Sequence, residues 1–212
     1  GGSQNDQLSG DAGDDILSGG TGDDLLNGGL GNDVLNSGSG DDVVAGGDGD
    51  DVINGGTGND AISGNDGNDR IKAGSGDDVV TAGDGNDYIN AYHGDDTIDG
   101  GAGRDRIYGG RGSDDMTGGS QSDTFIFRAS EMDGSTDTVR DFTRDGSEAD
   151  RLDLRGLNLL DDGLSADEWI AQNVTANQEG LTIQVGTSQI ILEDHQELGA
   201  DFFDFATDGF MF

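Results

Sequence analysis

From Gly1 to Ile126 the chain repeats every nine residues, fourteen times without a gap. One unit reads Gly55-Gly56-Thr57-Gly58-Asn59-Asp60-Ala61-Ile62-Ser63. Position six is Asp in every copy: Asp6, Asp15, Asp24, Asp33, Asp42, Asp51, Asp60, Asp69, Asp78, Asp87, Asp96, Asp105, Asp114 and Asp123. Position eight is always large and apolar, from Leu8 and Leu17 to Met116 and Phe125. Position four is Gly except at the two ends, Gln4 and Gln121. A short period held this strictly dictates stacked identical units, each burying its apolar side chain against the next.

Within a unit the first six residues favour turns and the last three favour strand. Gly at positions one, two and four admits positive φ and close backbone approach. The closing triplets, such as Val34-Leu35-Asn36 and Val52-Ile53-Asn54, alternate faces, so position eight points into a thin core while seven and nine point out. Two units then make an eighteen-residue coil, and fourteen make seven coils, roughly 30 Å long at the spacing of adjacent strands.

The Asp at position six ends each turn with a carboxylate, and turns one coil apart stack. Crevices between them collect carboxylate oxygens and backbone carbonyls. Hard oxygen donors with no Cys and no clustered His suit Ca²⁺ better than Zn²⁺ or copper, and Mg²⁺ resists such a cage because it keeps its waters. With 45 acidic against 10 basic residues, the net charge is −35. The stacked carboxylates repel one another, and the core is too thin to outweigh chain entropy unaided. About ten to twelve interturn Ca²⁺ ions would offset most of that charge, making metal binding and folding one event.

The same charge argues against nucleic acid and anionic membrane surfaces as partners. No apolar run approaches the roughly 18 residues that would insert into a bilayer, and no charged, apolar and cleavage-site sequence of the signal-peptide kind opens the chain. The absence of Cys removes disulfides and thiolate sites. Gly1 falls at position one of a unit, so the chain is expected to be a fragment that begins inside a longer array.

The units resemble the Gly-Gly-x-Gly-x-Asp-x-apolar-x nonapeptide of RTX (repeats-in-toxin) proteins. The resemblance covers residues 1–126. It implies an all-β fold: a right-handed parallel β-roll with Ca²⁺ between stacked turns, ending in a mostly-β capping subdomain at 127–212. It also implies export by bacterial type I secretion machinery as part of a larger extracellular protein, an adhesin at the cell surface or an exoenzyme. Departures fall at Asp11, Asn65 and Tyr92 (position two) and at Ser37, Ala73, Ala82 and Ala91 (position one). Tyr92 beside His93 predicts a distorted turn with a weaker site, and Gln121 predicts that the last unit is a terminus.

After Phe127 the period stops and longer apolar residues appear. Thr124-Phe125-Ile126-Phe127 reads as the last strand of the roll. Asp137 to Phe142 and Asp150 to Leu154 alternate like strands. Ser165 to Glu168 is a capping box opening a short helix through Trp169 and Ile170, and Leu181–Val185 with Gln189–Glu193 reads as a hairpin. A solenoid end needs its open strand edges covered, and this segment is placed to do so. It resembles the C-terminal flank of RTX proteins. The tail ends Asp208-Gly209-Phe210-Met211-Phe212, similar to uncleaved type I secretion signals, with Asp208, Phe210, Met211 and Phe212 as the signal residues. The competing reading is a C-terminal strand packed on the cap.

Asp141, Thr143, Asp145 and Gly146 begin like a helix-loop-helix calcium loop, but Leu152 stands where Glu would close it. Asp141, Asp145 or Asp150 could instead serve a non-helical Ca²⁺ site, with solvated carboxylates as the alternative. His93 and His195 read as surface residues. Arg104, Arg106 and Arg111, with Arg70 and Lys72 earlier, either neutralise neighbouring carboxylates or form a basic strip for a polysaccharide. The second case is that of an alginate-binding accessory module, as in secreted alginate epimerases. No catalytic arrangement is visible: there is no His-Glu-x-x-His, Gly-x-Ser-x-Gly or P-loop, and the chain reads as a non-enzyme.

Overall fold

A computed structural model describes residues 1–143, 149–157, 171–177, 180–193 and 210–211. The two units of each coil contribute one strand to each of two sheets. One sheet runs β1 (Gln7–Ser9), β3 (Leu25–Leu30), β5 (Val43–Asp48), β7 (Ala61–Asp66), β9 (Val79–Asp84), β11 (Thr97–Ala102), β13 (Asp115–Thr117), β15 (Thr136–Val139), β19 (Ser188–Glu193), β18 (Gly180–Val185) and β17 (Val174–Asn177). The other runs β2 (Ile16–Thr21), β4 (Val34–Ser39), β6 (Val52–Thr57), β8 (Arg70–Ser75), β10 (Tyr88–His93), β12 (Arg106–Arg111), β14 (Thr124–Arg128), β16 (Arg151–Gly156) and β20 (Phe210–Met211). Pairing in the repeats is parallel with a shift of eighteen residues, as in Leu17↔Leu35 and Leu26↔Val44. The fold is a parallel β-solenoid of about seven turns with a mixed sheet at its C-terminal end.

Position eight forms the core as its apolar character requires. Leu26, Leu35, Ile53, Ile71, Ile89 and Ile107 are fully buried. Position seven points out, with Ile16, Val43 and Val79 exposed. The strands are twice as long as the triplets suggest, running through positions seven to nine and on through one to three of the next unit. Position one therefore also faces inward, and its substitutes Ser37, Ala73, Ala82 and Ala91 are all small and buried. The Gly-Gly pair belongs to the strand, and the turn contracts to positions four to six. At Gly38, φ is 118°, and a Cβ there would lie 2.1 Å from the Gly20 carbonyl oxygen. Coils stack too closely for a side chain at that point.

Two expected irregularities do not disturb the stack. Tyr92 takes φ 78°, yet it keeps register with Gly74 and Gly110. Nor is the unit containing Gln121 the end, because both sheets continue past Ile126. β13 pairs in parallel with β15, and β14 with β16. Asp137-Thr138-Val139 and Asp150-Arg151-Leu152 take the places of positions six to eight, with Thr138 opposite Asp115 and Leu152 opposite Phe125. Phe142 packs its ring 6.2 Å from that of Phe125 and fills the core beyond the last repeat. The predicted hairpin is present as β18 and β19, antiparallel, with Val185 opposite Ser188. Residues 171–173 are helical, while the capping box, Trp169 and Ile170 lie outside the described residues, as do Asp145 and His195. Among the described residues no helix is long and apolar enough to cross a membrane.

Candidate metal centre

From Asp24 onward each repeat Asp closes its turn by reaching to the coil before it. The Oδ1 of Asp42 accepts the backbone N–H of Asp24 at 2.7 Å, and that of Asp69 accepts Asp51 N–H at 2.8 Å. The pattern recurs from Asp24 to Asp123 along both edges. Gly at position one makes room for it: a Cβ on Gly19 would lie 2.3 Å from Asp24 Oδ2. From Asp24 onward every repeat Asp is buried, down to 1% exposed at Asp33, Asp96 and Asp123. Asp6 and Asp15 are half-buried at the open N-terminal end.

The second oxygen is left without a partner. In thirteen carboxylates, Asp15 to Asp123, Oδ2 is buried and receives no hydrogen bond. Folded proteins satisfy buried polar atoms almost without exception, so thirteen orphans in one array call for a ligand. Burial, reinforced by neighbouring carboxylates, pushes Asp60, Asp69 and Asp114 up to about 7, and Asp96 and Asp123 to about 8, against the lowering effect of the N–H each accepts. A carboxylate whose charge is this costly gains most from a nearby cation.

The remaining donors must come from the backbone, since no three His, Cys, Asp or Glu side chains among the described residues group into a metal site. They are at hand. The carbonyls of positions four and five, such as Gly22, Asp23, Gly40 and Asp41, accept no hydrogen bond among the described residues. Free carbonyls beside a carboxylate oxygen, all hard donors in a glycine-rich turn, fit Ca²⁺.

Position five forms a second ladder that the sequence reading overlooked. Asp23 Oδ1 accepts the N–H of Asp41 at 3.1 Å, Asp41 that of Asn59 at 2.8 Å, and Asn59 that of Asp77 at 2.9 Å. These bonds run opposite in direction to those of position six, so each pair of coils is tied both ways. The signal was present: position five is Asp or Asn in each of the first eleven units, until Arg104, Ser113 and Ser122.

In the C-terminal flank the Asp ladder continues on different terms. Asp114 N–H is accepted by Asp137 Oδ1 at 3.2 Å and Asp123 N–H by Asp150 Oδ1 at 2.8 Å. The other oxygen of Asp150 accepts Thr143 N–H at 2.7 Å, and Asp141 accepts the N–H groups of Gly118 and Gly119. Asp141 and Asp150 are thus hydrogen-bonded on both oxygens, and the arrangement gives no support to a separate Ca²⁺ site there. Of the proposed tail residues, Phe210 and Met211 form β20, in parallel with Leu152 and Asp153, while Asp208 and Phe212 lie outside the described residues. His93 is exposed, as expected.

The RTX calcium-binding nonapeptide repeat model matches residues 1–35, 27–62, 36–71, 63–92 and 93–125. A comparison with curated protein sequences gave no match. Among solved structures, the extracellular lipase LipA from Serratia marcescens aligns at 16% identity and a TM-score of 0.22, over 99% of this chain. The chain spans only 38% of that lipase's length. Matched over more than half its length, this chain belongs to the RTX calcium-binding repeat family and forms a calcium-binding parallel β-roll.

Proposed function

We propose that the chain is a calcium-induced folding module which supports type I secretion of a larger extracellular bacterial protein, with the fourteen repeat Asp residues, Asp6 to Asp123, supplying the carboxylate ligands. The observation that carries this reading is the array of thirteen buried Oδ2 atoms with no partner. Where Ca²⁺ is scarce, as in a cytosol, the acidic chain stays unfolded and able to thread a narrow channel. Where it is near millimolar, the range of extracellular modules, the turns fill and the roll closes. About ten to twelve ions would offset most of the net charge of −35.

Residues 127–212 act in this reading as the cap. The division at residue 126 is one of chemistry, because the two sheets cross it unbroken. The bidentate pair of Arg140 with Asp115, at 2.6 Å, and its contact with Glu193 at 3.2 Å tie the mixed sheet to the last coil. Emerging first, the flank offers β13 and β14 an edge on which the roll grows, and folding outside hinders return. Asp208, Phe210, Met211 and Phe212 remain the proposed export signal, although a strand at 210–211 equally suits a packed terminus. Far-ultraviolet circular dichroism tests the module directly. Strand signal should appear on adding Ca²⁺ and disappear on chelation, and unchanged strand content after chelation would remove the mechanism.

A further inference from the structure

Eight of the ten basic residues are segregated. Arg70, Lys72, Arg104, Arg106, Arg111, Arg128, Arg151 and Arg155 all lie on β8, β12, β14 and β16 or in the turn leading into β12. These are strands of a single sheet. On its outer face the position-seven side chains fall in register on consecutive strands as Arg70, Tyr88, Arg106, Thr124 and Arg151. Arg70 lies over the Tyr88 ring at 4.7 Å. Arg104, Arg106 and Arg151 line a cleft of ≈ 340 Å³ with the hydroxyl residues Ser122 and Thr124 and the buried Asp105.

Neutralisation of neighbouring carboxylates does not explain these three arginines. Arg140 and Arg155 find carboxylates at 2.6 Å. Among the described residues, the side chains of Arg104, Arg106 and Arg151 form no ion pair or hydrogen bond, and Arg106 acts on Asp153 through space only. In a chain of net charge −35, three adjoining unpaired guanidinium groups are an exception that repels itself. A planar fork of donors is suited to carboxylate recognition.

The spacing selects the ligand. Arg70, Arg106 and Arg151 sit on every second strand, about 9.6 Å apart at the usual strand separation. A polysaccharide of alternating neutral and acidic sugars carries one carboxylate per disaccharide, roughly the span of two strand spacings. A chain acidic at every sugar is charged twice as often. We propose that this face binds a linear acidic polysaccharide laid across the strands, with a carboxylate seated between Arg104, Arg106 and Arg151 and a neutral sugar against Tyr88 and Thr124. This requires the calcium-folded roll and is independent of the export reading.

Calorimetry on the whole chain at fixed, saturating free Ca²⁺ decides it, with hyaluronate oligosaccharides, polygalacturonate oligosaccharides, polyglutamate and neutral dextrin as titrants. Hyaluronate should bind most tightly, weaken with salt, and lose at least tenfold in affinity in R106Q/R151Q. Arg104→Ser, which installs the residue that the next coil carries as Ser122, should weaken it separately. Circular dichroism on the same samples confirms that each variant folds with Ca²⁺. No heat at millimolar hyaluronate from a folded roll, tighter binding of polygalacturonate or polyglutamate, or unchanged affinity in both variants would overturn the proposal.

Discussion

The repeats and the C-terminal flank build the same ladder from the same residue and finish it differently. In the roll, Asp69 gives one oxygen to the N–H of Asp51 and buries the other with nothing to meet it. In the flank, Asp150 takes Asp123 N–H on one oxygen and Thr143 N–H on the other. A carboxylate that accepts backbone N–H groups on both oxygens needs no cation to complete its hydrogen bonding. One left half-satisfied keeps an oxygen open to a cation. On the calcium-folding proposal, hydrogen bonds therefore draw the boundary between metal-dependent and self-sufficient structure, although the sheets cross it without interruption.

Substitution separates the two regimes. Asp69→Ala removes a proposed ligand from the middle of the roll and should raise the Ca²⁺ concentration needed for folding several-fold, with no effect in chelator, where the proposal has that region unfolded already. Asp150→Ala strands two N–H groups and should destabilise the flank by about 1–3 kcal/mol per donor, with or without Ca²⁺. Denaturant melts of both variants in both conditions check this. Equal calcium dependence of the two would erase the distinction.

Acidity sharpens the contrast next. Burial raises Asp60, Asp69, Asp78, Asp96, Asp105, Asp114 and Asp123 to between about 6 and about 8 in the metal-free fold. Between the unfolded value near 4 and those values, that fold binds more protons than the unfolded chain does, so its stability falls as pH rises. In chelator, strand content should be greater at pH 5.5 than at pH 8.5. With Ca²⁺ present the order reverses, because protons compete with the metal. Circular dichroism at the two pH values reads both effects.

The smallest effect concerns backbone strain. Tyr92→Gly relieves a left-handed φ of 78° in a bulky residue and should stabilise the calcium-loaded roll by about 1 kcal/mol. Thermal melts in Ca²⁺ measure it.

The period made most of this legible. Asp every nine residues with an apolar residue two further on fixes coil length, core position and site position together, and Leu26 or Asp60 could be placed from the sequence alone. Strand length was hidden because Gly-Gly reads as turn by propensity, whereas here close stacking demands it within an extended strand. Tyr92 looked disruptive for the same reason, yet pairing with Gly74 and Gly110 holds it in place. The roles of Asp137 and Asp150 were obscured because irregular loops separate them from the period, and only the N–H groups of Asp114 and Asp123 identify them as further rungs. The cleft joins Arg104 and Arg106 to Arg151, 45 or more positions away, through sheet register, which no local pattern encodes.

Hydrogen–deuterium exchange followed by mass spectrometry, on the intact chain with and without Ca²⁺, tests the central contrast most directly. Chelation should bring peptides from β2 to β12 to full exchange within seconds while β18 and β19 stay protected, and Ca²⁺ should restore the roll. Protection of β2 to β12 that survives chelation would contradict the account, since it would mean that the thirteen unpartnered oxygens need no cation.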